Sequence, residues 1–105
     1  MASLKNIIRI LERASAQDKM GHTNALYMLV DIMTRDQQHE PAIQMLLKAM
    51  ETQKPTSRMH QLLGDCYVNV QKDDDAFNHY TIALKLDPQN QRATEGKMFL
   101  NIIFF

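Results

Sequence analysis

The stretch that decides the fold is MHQLLGDCYVNVQKDDDAFNHYTIALKLDP, residues 59–88. Apolar residues recur in it at helical spacing, in one run before the acidic residues 73–75 and in a second run after them. Pro88 ends the second run, because proline lacks a backbone N–H and disfavours a helical conformation at Asp87. The stretch therefore predicts two helices joined by a short turn, which pack as an antiparallel pair.

The pattern recurs upstream, since Leu29 and Asp31 precede Leu63 and Asp65 by the same distance along the chain. This period of about 34 residues with helical patterning is typical of tetratricopeptide repeats, in which each unit is one helix pair. The downstream copy has the residues of this repeat at the expected offsets, except that His60 replaces the usual large apolar residue. The matching residues are Leu63, Gly64, Tyr67, Ala76, Tyr80, Ala83 and Pro88.

The repeats predict an all-α fold, a tetratricopeptide solenoid of about two and a half repeats with a C-terminal capping helix. The predicted helices cover residues 4–16, 22–35, 40–53, 56–71, 73–87 and 90 onward. The predicted array covers 4–96, with a partial repeat at 4–22, repeats at 23–56 and 57–90, and the start of the capping helix at 91–96; an apolar tail follows at 97–105.

Small residues are predicted to stand where the helix backbones approach each other. Gly64 would let the two helices of its repeat lie close, so a larger side chain there would cost about 1–3 kcal/mol through overpacking. Ala76 and Ala83 are expected to do the same from the second helix, while Tyr67 and Tyr80 fill the remaining space.

Two polar residues are predicted to begin helices. Thr56 and Asp73 precede apolar-periodic runs, and side chains of these types cap helix N-termini by accepting a backbone N–H. We therefore expect the pair Thr56-Ser57 to cap the helix near residue 56 and Asp73 to cap the next one.

The candidate binding residues lie on the first helix of each repeat, which lines the inner groove of a tetratricopeptide superhelix. Asp31 and Asp65 hold the same repeat position, so their charges are expected to face one channel and to favour an extended peptide segment carrying Lys or Arg. The alternative is a solvated polar face. These positions, called the groove row below, are Asn24, Tyr27, Asp31, Thr34, Arg35, Arg58, Gln61, Asp65, Val68 and Asn69.

Composition argues against several classes of function. Twelve Lys and Arg balance twelve Asp and Glu, so there is no basic surplus for nucleic acid. No apolar run reaches the ~18 residues of a membrane helix, and the single cysteine, Cys66, is expected to be packed and inert. The four histidines lack zinc-site spacing, and no nucleophile or phosphate-loop motif occurs. We therefore expect no catalytic residue, cofactor, metal, nucleic acid or membrane partner.

The C-terminal tail is unusually apolar. Phe99, Ile102 and Ile103 would share one face of a helix and are predicted to cover the last repeat. The remaining apolar residues of the tail would leave exposed surface that favours self-association. They are Leu100, Phe104 and Phe105.

Several stretches of the chain resemble the C-terminal repeats of the subunit-seven family of the anaphase-promoting complex (cyclosome). They are residues 80–91 followed by Glu95-Gly96, and residues 35–47 and 59–65. The resemblance covers about residues 4–96, and the family is several-fold longer. It implies a non-enzymatic scaffold of a ubiquitin ligase that controls mitosis, with other tetratricopeptide subunits as partners and a location in the nucleus and cytoplasm. The alternative is a general tetratricopeptide adaptor or co-chaperone that binds peptides outside that complex.

Overall fold

A computed structural model of the chain describes residues 19–104, with side chains described from Thr23 to Ile103. This part of the chain is built from helices and contains no β-strand. The helices are α1 (Lys19–Arg35), α2 (His39–Thr52), α3 (Ser57–Asn69), α4 (Asp73–Leu86) and α5 (Gln91–Phe104). The predicted all-α helical-repeat fold is confirmed, and the predicted helix at 4–16 lies outside the described residues.

Each helix packs against the next one along the chain, and α5 also contacts α3. Such nearest-neighbour packing is the architecture of a solenoid, in which a repeat buries its apolar face only against adjacent repeats. One core joins α1, α2 and α3, and its fully buried side chains include Leu29, Leu46, Met59 and Leu63. A second core joins α4 and α5 around Ala76, Tyr80, Ala83, Ala93 and Leu100.

The repeat period is visible in the backbone of the two turns within the helix pairs. Gln37 and Gln71, which hold the same position in successive repeats, have positive φ angles of 62° and 64°. After each of them the chain closes onto the preceding helix, with Gln38 N–H donating to Met33 O and Lys72 N–H donating to Tyr67 O. This is the left-handed helix ending that satisfies carbonyls of the last turn. Both repeats therefore turn by the same mechanism.

The two predicted caps have different outcomes. Thr56 caps α3, because its Oγ1 accepts the Met59 N–H at 3.1 Å. The prediction that Asp73 caps α4 is wrong: the N-cap is Lys72, and Asp73 is already helical. The turn before α4 places Lys72 at the cap, so the carboxylates of residues 73–75 lie in the first turn, where they interact favourably with the helix dipole.

The face of α5 that packs against the repeats differs from the predicted one. Leu100 is 1% exposed, whereas Phe99, Ile102 and Ile103 are 52%, 80% and 52% exposed. The prediction that these last three residues cover the last repeat is therefore wrong. The repeat gives the reason: Leu100 lies one period after Cys66, which is buried, whereas Phe99 lies one period after Asp65 of the groove row. Helix α5 runs continuously past Gly96, in agreement with the helix predicted from residue 90 onward.

Candidate protein-binding surface

The ring of Tyr80 lies between two glycines of different helices. A Cβ added at Gly64 on α3 would lie 2.6 Å from Tyr80 Cε1, and one added at Gly96 on α5 would lie 2.7 Å from Cε2. Tyr80 itself is 2% exposed on α4. The absence of side chains at both glycines therefore lets α3 and α5 approach the same aromatic ring.

The hydroxyl of Tyr80 joins this packing to the groove row. It donates to Asp65 Oδ1 at 2.5 Å, and Gln61 Nε2 donates to Asp65 Oδ2 at 3.0 Å. Arg92 of α5 also approaches Asp65 Oδ2, at 3.7 Å. Burial, with the hydrogen bond to the nearby carboxylate, raises the pKa of Tyr80 well above its usual value. Asp65 thus connects three helices, and both of its carboxylate oxygens already contact side chains of its own chain.

Removing the Tyr80 hydroxyl should destabilise the fold. Tyr80→Phe leaves Asp65 without its shortest hydrogen bond, and bonds to charged groups contribute about 1.5–3 kcal/mol. Urea unfolding followed by circular dichroism measures the difference. Tyr67→Phe is the matched control, because no hydrogen bond of the Tyr67 hydroxyl is seen among the described residues. An equal loss for the two variants would contradict the role of the Tyr80–Asp65 bond.

Residues of the groove row also connect α1 with α3. The Arg58 guanidinium lies over the Tyr27 ring, 4.9 Å from its centre, in a cation–π arrangement. The Tyr27 hydroxyl is 2.7 Å from Thr56 Oγ1. On the exposed surface of α1, Arg35 pairs with Asp31 at 3.1 Å. These contacts join successive first helices into one continuous surface.

The structure places the predicted groove residues in unequal surroundings. Asn24, Asp31, Arg35, Arg58 and Asn69 are exposed, whereas Tyr27, Thr34, Asp65 and Val68 are half-buried. Gln61 is only 9% exposed and uses its amide on Asp65. The Asp31 side chain is 57% exposed and the Asp65 side chain 27%, so the two aspartates do not form equivalent charges. Binding of a basic peptide by this row stays a prediction.

The row continues onto α5, which the sequence prediction did not include. Arg92 follows Arg58 by one repeat period, and its contact with Asp65 joins α5 to the row. In the same register Phe99, Ile102 and Ile103 follow Asp65, Val68 and Asn69. The repeat spacing was the signal that could have identified them. The surface therefore changes from polar on α1 to apolar at the end of α5.

A pair of histidines joins the two helices of the second repeat. His60 Nδ1 on α3 and His79 Nδ1 on α4 are 2.9 Å apart, a hydrogen-bond distance. His79 stacks on His60 and also on Tyr67, with ring centres 5.2 Å and 5.4 Å apart. The sequence indicated no histidine pair, because 19 residues separate the two and only the antiparallel packing brings them together.

Protonation of this pair should weaken the fold. Burial lowers the pKa of both histidines. The charge of His79 lowers the pKa of His60 further, whereas Asp75 opposes the lowering at His79. The unfolded chain therefore binds protons more readily, so the stability contributed by the neutral pair is full above pH ~6.5 and falls as the pH drops below it.

Chemical unfolding at pH 7.5 and pH 5.5 measures this dependence. We expect a greater loss of stability on acidification for the natural chain than for His60→Gln/His79→Gln, which lacks both titrating rings. His39→Gln, on α2, is the control for replacing a histidine outside the pair. The prediction fails if the double variant loses as much stability as the natural chain.

Two remaining expectations concern Cys66 and metal or membrane binding. Cys66 is buried, and burial, together with Asp65, raises the pKa of its thiol to about 11, so the thiol is protonated at neutral pH.

Among the described side chains, no three His, Cys, Asp or Glu residues converge as metal ligands. Within the same part of the chain, no helix has both the length and the apolarity to cross a membrane.

Comparison with known proteins gives a relative for this helical array. An 87-residue segment, 83% of the chain, is 33% identical to anaphase-promoting complex subunit 7 of Mus musculus. The chain resembles subunit 7. The Homo sapiens subunit 7 is 32% identical over the same length. No protein-family model matches the chain, and no solved structure matches it significantly.

The similarity is confined to a small part of each relative. It covers 83% of this chain but 15% of the length of the mouse and human subunits. The resemblance seen in the repeat residues is thus confirmed by sequence comparison, and it concerns a segment large enough for two helix pairs.

Proposed function

We propose that this chain is a non-catalytic, protein-binding scaffold segment related to subunit 7 of the anaphase-promoting complex, and that it associates with other subunits of that ligase. The observation that carries the proposal is the 87-residue similarity to subunit 7, which spans most of the helical array. Control of mitotic progression and a location in the nucleus and cytoplasm follow from membership of such a complex.

The contacts within the array support a scaffold over a catalyst. The side chains whose pKa values are most displaced, Tyr80 and Cys66, are buried between helices. Asp65 holds Tyr80, Gln61 and Arg92 together. These groups fix the positions of neighbouring helices. The mechanism proposed is complementarity of shape and polarity along the exposed surfaces of successive repeats.

Affinity purification tests the association. The tagged full chain is expressed in dividing human cells, and bound proteins are identified by quantitative mass spectrometry. We expect the other subunits of the anaphase-promoting complex to be enriched. Enrichment of chaperones without any subunit of the ligase would overturn the proposal and favour the general adaptor.

Matched variants separate specific binding from the capture of misfolded chain. Leu100→Ala damages the buried side of α5, whereas Phe99→Ser/Ile102→Ser changes only its exposed side. Unlike deletion of residues 97–105, the second variant preserves the core contact of Leu100. Recovery of ligase subunits should decrease as Leu100→Ala weakens the attachment of α5; undiminished recovery with this destabilised variant would indicate non-specific capture.

A further inference from the structure

We propose that His60 and His79 form a two-imidazole site for a divalent late transition-metal ion, which bridges α3 and α4. The site uses one nitrogen ligand from each helix of the second repeat. Its remaining ligands are water molecules, since the described side chains supply no third converging ligand.

The separation of the two nitrogens suits shared coordination. Metal–imidazole bonds are about 2.0–2.1 Å long, so two adjacent ligands at about 90° are about 2.9 Å apart. The two Nδ1 atoms are separated by 2.9 Å. This distance fits neighbouring positions of a square-planar or octahedral ion, and a tetrahedral ion requires a further separation of a few tenths of an ångström.

Both rings are held by stacking and are only partly buried. The His79 ring stacks on His60 and on Tyr67, which restricts the rotation of His79. Both histidines are half-buried, which leaves part of each residue exposed to water. Held ligands lose less conformational entropy on binding than free ones.

Nearby carboxylates offset part of the penalty that burial imposes on a cation at this site. Asp75 lies one helical turn before His79. Its negative charge acts to raise the pKa of His79 and of Tyr67, and the charge of Glu40 also acts to raise the pKa of Tyr67. The two histidines are neutral above their lowered pKa values, and a neutral imidazole is the form that binds a metal ion. Nitrogen ligands select Ni²⁺, Cu²⁺ or Zn²⁺ over Mg²⁺, which prefers oxygen.

Thermal unfolding of the full chain with NiCl2 at pH 7.5 tests the site. Binding to the folded state raises the unfolding temperature with metal concentration, and we expect such a rise with Ni²⁺ but not with Mg²⁺. His60→Gln and His79→Gln should each weaken Ni²⁺ binding at least about 10-fold, the loss that even an outer-shell partner can cause. His39→Gln is the matched control and should bind Ni²⁺ as the natural chain does.

A measurement on the natural chain keeps the test independent of the folding of the variants. Zn²⁺ is added to ¹⁵N-labelled chain, and long-range ¹H–¹⁵N spectra follow the histidine ring nitrogens. We expect the Nδ1 resonances of His60 and His79 to shift together. The proposal is overturned if Ni²⁺ does not stabilise the natural chain at millimolar concentration, if either glutamine variant keeps its affinity, or if Zn²⁺ shifts other histidines and leaves these two unchanged.

Discussion

Gly64→Ala is expected to destabilise the chain by about 1–3 kcal/mol, because its new Cβ would lie 2.6 Å from Tyr80 Cε1. The direction of this effect is diagnostic. In an exposed helix interior the same substitution stabilises by about 1 kcal/mol, since alanine has the higher helix propensity. A loss of stability therefore measures the close approach of α3 and α4 at this glycine.

The Tyr80 ring has little freedom to move away from a new side chain at Gly64. On its other side the ring lies against Gly96 of α5, and its hydroxyl is held by Asp65 at 2.5 Å. The clash should consequently be relieved by displacement of a helix, which costs more than a change of rotamer.

A double-mutant cycle with Tyr80→Leu isolates the contact. Urea unfolding gives the cost of Gly64→Ala in the natural chain and in the Tyr80→Leu background, where the aromatic ring is absent. We expect the cost to be smaller in that background, with a coupling energy of about 0.5–3 kcal/mol. Equal costs in the two backgrounds would show that Gly64 does not act through Tyr80.

Leu100→Ala should cost about 2–5 kcal/mol, the range for truncation of a buried leucine, provided that α5 stays folded against α4. Leu100 is 1% exposed and packs in the core that contains Ala76, Tyr80 and Ala83. If α5 separates from the array before the full cost is reached, the loss is limited to the free energy that attaches this helix.

Ile102→Ala is the matched control, because it also truncates an aliphatic side chain on α5. Ile102 is 80% exposed, and substitutions of exposed residues usually change stability by less than about 0.5 kcal/mol. Chemical unfolding gives both values, and amide hydrogen exchange of residues 91–104 reports detachment of α5. A larger loss of stability for Ile102→Ala than for Leu100→Ala would show that α5 packs through the face predicted from the sequence.

Much of the fold follows from the repeat period. The spacing between Leu29 and Leu63, with Pro88 as a stop, predicted helices whose ends agree closely with those of α1 to α5. Local side-chain chemistry also predicted the Thr56 cap. Such features depend on neighbouring residues along the chain, so the sequence contains the information directly.

Less of the candidate surface could be predicted from the sequence. The row from Asn24 to Asn69 was predicted from position in the repeat, but the contact between Asp65 and Tyr80 was not expected. Counting one repeat period beyond the row reaches Arg92 and Phe99, yet the apolar pattern of the tail suggested another orientation. Helical periodicity shows which residues share a face, whereas the partner that covers the face depends on how helices pack.

The all-α repeat architecture and the approximate helix bounds follow from the sequence alone, because they rest on helical periodicity and on the repeat period along the chain. The resemblance to subunit 7 rests on the identity of residues within those repeats. Only the tertiary structure decided that Tyr80 lies between Gly64 and Gly96, that His60 meets His79, and that Leu100 is the buried residue of the tail. The physical reason is that these contacts join residues of different helices, and their existence depends on interhelical distance and rotation that no local pattern specifies.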